Sequence, residues 1–127
     1  MAERKLKIVV TQMAKVLIVD DERALVELIA SVVEDLGHQP IRAYDGSEAL
    51  KLAQNEHPQI IFCDIMMPIM NGYDLLDQLR QDVNLNQTPV VMMSAAKIDL
   101  VRAAAANGYM PKPFDLNKVA DYIDKLV

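Results

Sequence analysis

Five side chains of reactive type stand at the ends of apolar runs. Asp20 and Asp21 close Val16-Leu17-Ile18-Val19, Asp64 closes Ile60-Ile61-Phe62-Cys63, Ser94 closes Val90-Val91-Met92-Met93, and Lys112 follows Tyr109-Met110-Pro111. Two carboxylates about 4 Å apart repel by roughly 4 kcal/mol at an effective dielectric near 20, so such a group calls for a cation or for protons. A hard divalent ion with oxygen ligands meets that need, and Mg²⁺ held by one or two carboxylates together with phosphate oxygen suits the set. A carboxylate oxygen is in turn a competent nucleophile for phosphoryl transfer, with the ion, an ammonium and a hydroxyl neutralising the three transferring oxygens.

Bringing these residues together requires that the apolar runs be strands of one sheet. From Lys15 onward short β-branched runs alternate with longer segments of helical period, the pattern of a βα array building a parallel sheet. Strands are expected over 16–19, 40–44, 60–63, 89–93 and 109–110. Helices are expected over 24–36, 47–55, around Leu75, Leu76 and Leu79, over 96–107, and over 116–127, giving five βα units. Four successive apolar residues at 60–63 suit a central strand covered on both faces. In open parallel sheets ligands bind beyond the carboxyl ends of the strands, where all five reactive side chains fall.

The chain has 127 residues, 52% hydrophobic and 24% charged, which is one domain's worth with no sign of disorder. A single Cys63 and the lack of a secretory leader pattern point to a reducing, cytoplasmic setting. No apolar stretch is long enough for a membrane span, since Asp64 interrupts the best candidate, so no membrane insertion is expected. A net charge of −5 argues against nucleic acid as a direct partner. Residues 1–15 carry +3 and the remaining 112 carry −8, so the N-terminus differs in kind. Met13-Ala14-Lys15 reads like a natural chain start, which makes 1–14 an N-terminal extension, native or introduced by cloning, ahead of a domain at 15–127. Alternation at Leu6, Ile8 and Val10 would also let the extension form a short edge strand.

The segments Val16-Leu-Ile-Val-Asp-Asp-Glu22, Asp64-Ile-Met-Met-Pro68 with Asn71-Gly72, Ser94-Ala95, and Tyr109-Met-Pro-Lys-Pro-Phe114 together resemble a response-regulator receiver domain of two-component signalling, over 15–127. The resemblance implies a flavodoxin-like (βα)5 doubly wound parallel sheet in the order 2-1-3-4-5. It implies that Asp64 accepts a phosphoryl group from a phosphohistidine on a histidine kinase or histidine phosphotransfer protein. It implies Mg²⁺ held by Asp21, Asp64 and the backbone carbonyl of Met66, with Asp20 in the same acidic pocket. Lys112 would contact the phosphoryl group, Ser94 would hydrogen-bond it, and Tyr109 would be the aromatic that changes rotamer on activation. The chain would then be a switch rather than an enzyme in the metabolic sense, promoting only its own phosphoryl transfer and autodephosphorylation. Its readout face would be the fourth helix, fifth strand and fifth helix, open to a downstream output protein or to phosphorylation-dependent dimerisation. Ending at the fifth helix, it reads either as a stand-alone chemotaxis-type regulator or as a receiver cut from a longer protein.

Plainer readings exist for each residue. Asp20 and Asp21 could cap the first helix, Ser94 could be a turn residue, Lys112 a solvated cation, and Tyr109 a core aromatic with a wet hydroxyl. Lys112 precedes Pro113, which favours extended backbone and permits a cis peptide. Cys63 reads as buried packing, His38 and His57 as ordinary, and Met66, Met67 and Met70 as packing or a soft recognition surface. The sequence departs from the family's common pattern at Ala105, where a glycine is more usual four residues before the aromatic, so the loop before Tyr109 is expected to end the fourth helix differently. Met66 and Ala96 occupy positions that tune the lifetime of the phosphorylated state. The four glycines form no phosphate-binding loop, which disfavours a nucleotide- or flavin-binding enzyme. The Asp-x-Asp of aspartyl phosphatases is also missing from the first strand. The remaining rival is a receiver-like interaction module that acts without phosphorylation.

Overall fold

A computed structural model describes residues 13–127. The expected edge strand at Leu6 to Val10 lies outside these residues. Five strands run β1 (Lys15–Val19), β2 (Gln39–Ala43), β3 (Ile60–Asp64), β4 (Val90–Ser94) and β5 (Gly108–Pro111). All neighbouring pairs are parallel, in the order β2-β1-β3-β4-β5. Four helices accompany them: α1 (Arg23–Asp35), α2 (Gly46–Glu56), α3 (Gly72–Gln81) and α4 (Asn117–Leu126).

Alternate strand residues face opposite sides, as the two-residue period demands, and two cores result. Leu17, Val19, Ile61, Cys63 and Met92 pack with Ala49 and Ala53 of α2 and Leu75 and Leu79 of α3. Val16, Ile18, Phe62, Val91 and Met93 pack with Ile29 and Val33 of α1 and Val119 and Ile123 of α4. Two helices on each face explain why the central strands are apolar on both sides up to their carboxyl ends, over Val16 to Val19, Ile60 to Cys63 and Val90 to Met93.

Local chemistry sets where helices begin and end. The carboxylate of Asp45 accepts from Glu48 N at the start of α2. Asn71 and Asp74 form a reciprocal capping box on α3. Gly37, at φ 85°, turns the chain out of α1 into the left-handed region that side chains with a Cβ avoid.

The expected helix over 96–107 is a correction. Residues 100–105 are turns, so the chain has five strands but only four helices among the described residues. Propensity favours a helix there, yet tertiary hydrogen bonds claim the backbone: Asn107 N donates to Val90 O at 2.7 Å, and Arg80 Nε donates to Ala105 O at 3.1 Å. The second strand also begins one residue earlier than expected, because Gln39 N is already bonded to Ala14 O at 2.9 Å.

Candidate functional site

Register places the reactive side chains at one rim. Val19 pairs with Cys63, which brings Asp20, the next residue, level with Asp64. Asp64 pairs with Met93 and Ser94 with Pro111, so Ser94 and Lys112 follow at the same edge of the sheet. The Lys112 amide donates to Ser94 O at 2.7 Å, which fixes the base of the lysine against β4.

Asp20, Asp64 and Ser94 are the buried polar or charged residues of the described chain, with exposures of 0%, 3% and 1%. Burying a carboxylate is costly unless charge or hydrogen bonds compensate, and one ammonium serves both: Lys112 Nζ lies 2.8 Å from Asp20 Oδ2 and 3.2 Å from Asp64 Oδ1. Asp21 is exposed, and one carboxylate oxygen from each of Asp20, Asp21 and Asp64 falls within 4.8 Å of the others. Burial, helped by the neighbouring charge of Asp20, pushes the Asp64 carboxyl up to about 6 despite Lys112. Burial raises Asp20 above the ordinary carboxylate range as well, against the hydrogen bond from Lys112. For Lys112, burial works to lower the value, but the two carboxylates outweigh it and the ammonium is held protonated well above its ordinary range. Three carboxylates against one buried-side cation leave an uncompensated negative charge, and their hard oxygen donors fit a divalent cation.

Asp20 does not cap α1. Its Oδ1 accepts from Glu22 N at 2.9 Å in a tight turn, and Glu22, at the N-cap position, makes no side-chain cap bond. Glu22 instead reaches Lys112 at 3.2 Å, a contact the sequence pattern did not single out. The Lys112–Pro113 peptide is cis. The Ser94 hydroxyl accepts from Ala96 N at 3.0 Å in the loop just after β4, and the Tyr109 hydroxyl donates to Ala103 O at 3.3 Å in the turn segment, so neither engages Asp64. Met67 is buried in the core and Met70 packs against it, whereas Met66 exposes its side chain. Cys63 is buried and its thiol is pushed up by burial, which suits packing and not redox chemistry. His38 Nδ1 accepts from Ala14 N at 3.0 Å, and neither histidine joins the acidic group.

Gly72 matters to the site in a way its motif only hinted at. A Cβ there would lie 2.5 Å from Asp64 O and 2.8 Å from Ile65 Cα, so only glycine lets α3 start directly beneath the acidic strand end. Ile69, in the same loop, has φ 69° and a fully exposed side chain.

Comparison with known proteins agrees with this geometry. Residues 16–124 match the response regulator receiver domain family. The chain is 40% identical over 107 residues to the transcriptional regulatory protein CpxR of Escherichia coli (strain K12), covering 81% of this chain and 44% of that protein. It is 37% identical over 109 residues to the alkaline phosphatase synthesis transcriptional regulatory protein PhoP of Bacillus subtilis (strain 168), covering 83% of this chain and 45% of that one. The chain thus spans about half the length of these curated relatives. Among solved structures, chemotaxis protein CheY4 of Vibrio cholerae superposes with a TM-score of 0.85 at 28% identity, covering 91% of this chain and all of that one (100%). Response regulator TrrA of Thermotoga maritima, solved with Mg²⁺ and BeF, superposes with a TM-score of 0.83 at 25% identity over 91% of this chain and 100% of that one. With its strand order, its acidic rim and these relatives in agreement, the chain belongs to the response regulator receiver domain family of two-component signalling.

Proposed function

We propose that this domain, residues 15–127, is a phosphorylation switch that takes a phosphoryl group onto Asp64 from the phosphohistidine of a histidine kinase or histidine phosphotransfer protein. The observation that carries the reading is the junction of two buried carboxylates, an exposed third and one shared ammonium at the strand ends. A carboxylate oxygen of Asp64 attacks phosphorus, the P–N bond breaks, and the imidazole nitrogen leaves with the bonding pair. Asp20, Asp21, Asp64 and the carbonyl of Met66 would hold Mg²⁺, which when bound supplies charge neutralisation for the phosphoryl oxygens. Lys112 is already an ammonium aimed at Asp64 and keeps its proton throughout. Hydrolysis of the acyl phosphate by water resets the switch.

An apolar cleft of about 620 Å³ opens beside Lys112, lined in part by Leu25, Leu28, Pro113, Phe114 and Leu116. Phosphorylation would add charge and acceptor oxygens to Asp64, toward which the Ser94 hydroxyl is drawn, with Tyr109 following. The output side is then β5, α4 and the turn segment before β5, presented to a downstream protein or to a second copy. The reading places the chain in the cytoplasm, beside the histidine kinase or histidine phosphotransfer protein that carries the phosphohistidine. Separately, no described helix is long and apolar enough to cross a membrane.

Brief incubation with acetyl phosphate and Mg²⁺, followed by intact mass, tests the chemistry. A single phosphoryl adduct that disappears with EDTA and in Asp64→Asn is the expected result. If no adduct forms, and beryllofluoride with Mg²⁺ leaves the amide spectrum around Ser94 and Tyr109 unchanged, the domain acts by binding alone.

A further inference from the structure

Residues 99–106 are a helix that has been started and stopped. The Asp99 carboxylate accepts from Val101 N at 3.0 Å and Arg102 N at 3.2 Å, the arrangement of an N-cap. Ala103 N donates to Asp99 O at 2.9 Å, the first bond of an α-turn. Four alanines, Ala103 to Ala106, follow in sequence, and alanine is the best helix former. Yet the ladder does not propagate. Ala104 N turns back to Val101 O at 3.3 Å and Ala106 N to Ala103 O at 2.9 Å, both at three-residue spacing.

The first turn of α3 grips the start of this segment. Tyr73 Oη accepts from Asp99 N at 2.7 Å. The Arg102 guanidinium lies over the Tyr73 ring at 5.1 Å and pairs with Asp74 at 3.3 Å and Asp77 at 3.5 Å. These contacts are exposed and individually weak, so together they form a hold that modest forces can release.

We propose that Tyr73 and Arg102 are a clasp that holds residues 99–106 unwound against α3, and that opening the clasp winds the segment into a helix. The clasp is wired to the acidic site. Tyr109 Oη donates to the carbonyl of Ala103 within the segment, and Ser94 Oγ takes the amide of Ala96 in the strand-end loop three residues ahead of it, so one residue that responds to phosphate in the reading above is bonded to the segment's backbone and the other to the loop that leads into it. Drawing Ser94 toward Asp64 surrenders the bond to Ala96, and movement of Tyr109 frees Ala103 O for the helical ladder. This coupling rests on the phosphorylation reading, whereas the clasp itself does not. Winding would also re-aim Leu100 and Val101, which now stand exposed, and so create a surface absent from the resting protein.

The test is backbone NMR of the full chain, reading Cα shifts of residues 99–106 without phosphate in the wild type and in the double variant Tyr73→Phe, Arg102→Ala. Non-helical shifts in the wild type and helical ones in the variant are expected. Because Tyr73→Phe keeps the ring, the core under α3 stays filled; raising NaCl to about 1 M, which screens the Arg102 pairs, should move the unmodified wild type the same way. Helical shifts in the resting wild type, or an unwound segment in the double variant, overturn the clasp. Mg²⁺ with beryllofluoride should wind the wild-type segment, and failure to do so while the variant winds overturns the coupling. Intact mass after acetyl phosphate separates the two ideas. A variant that winds but accepts no phosphoryl group sustains the clasp and sinks the Asp64 reading; one that is phosphorylated with the segment unchanged sinks the clasp alone.

Discussion

Lys112 and Asp20, 92 positions apart in the chain, meet in a 2.8 Å hydrogen bond whose acceptor is wholly buried. The same ammonium reaches Asp64, so one cation stands between two carboxylates that would otherwise repel at the end of a dry strand pair. Removing it leaves both charges facing each other. Lys112→Met is expected to lower stability at pH 7 by about 3 kcal/mol, in the range found when one partner of a buried ion pair is deleted. Near pH 4 the carboxylates take up protons and the loss should shrink. Urea unfolding of the two proteins at both pH values measures it.

Asp64 carries a pH dependence of definite sign. Its folded-state carboxyl titrates at about 6 against an ordinary 3.8, so between these values the folded chain holds a proton that the unfolded chain has lost. Stability therefore falls as pH rises from about 4 to 6 and stays reduced above, by roughly 2–3 kcal/mol for a shift of this size. Asp64→Asn removes that dependence. The variant should be more stable than the wild type at pH 7.5 and equal to it near pH 3.5, and equal stability at both would refute the assignment.

Divalent cation acts on the same charges. Mg²⁺ that binds only the folded chain raises its stability with concentration, by about 2.7 kcal/mol at a hundredfold excess over Kd. Thermal unfolding at neutral pH should show Tm rising with Mg²⁺ in the wild type and nearly flat curves in Asp64→Asn and Asp21→Asn. A rise that survives in both variants would place the ion elsewhere.

Gly72 tests the closeness of α3 to the acidic strand end. Gly72→Ala forces its Cβ against the backbone of Asp64 and Ile65, neither of which can swing aside. Overpacking of this kind costs about 1–3 kcal/mol, and here the displaced atoms belong to the proposed acceptor Asp64 and its neighbour Ile65. Loss of stability together with loss of the acetyl phosphate adduct is expected. In Gly37→Ala, where the added Cβ meets nothing, only the left-handed backbone is penalised and the adduct should form normally.

Ile69 tests strain in the neighbouring loop. A β-branched residue at φ 69° is costly by about 1–2 kcal/mol, and its exposed side chain returns no burial. Ile69→Gly relieves the strain at some entropic cost, so a gain of up to about 1 kcal/mol in stability is expected from thermal unfolding. A clear loss would mean that the isoleucine makes a contact stabilising the loop.

The gathering of the polar side chains at one rim was legible in the sequence because they sit at strand ends. An Asp placed directly after four apolar residues marks the end of a buried strand, and parallel register then brings Asp20, Asp64, Ser94 and Lys112 to one rim without any knowledge of side-chain contacts. The two-faced core was legible too, since runs such as Ile60 to Cys63 have no polar face to expose. Glu22 was harder to find. Its link to Lys112 depends on the turn that Asp20 makes with the Glu22 amide, and nothing in local spacing announces that turn.

The segment before β5 marks the limit of reading from sequence. Asp99, an Ala-rich run and helical spacing all specify a helix, and by local physics they are right. Tyr73 and Arg80 of α3, Val90 of β4 and Tyr109 of β5 take the hydrogen-bonding groups or hold the first turn. The sequence by itself determined the strand order's ingredients, the covered faces and the reactive residues, because these follow from burial and period. Only the tertiary structure decided that 99–106 stays unwound, because a short helix gains little per residue and a few distant donors and acceptors are enough to outbid it.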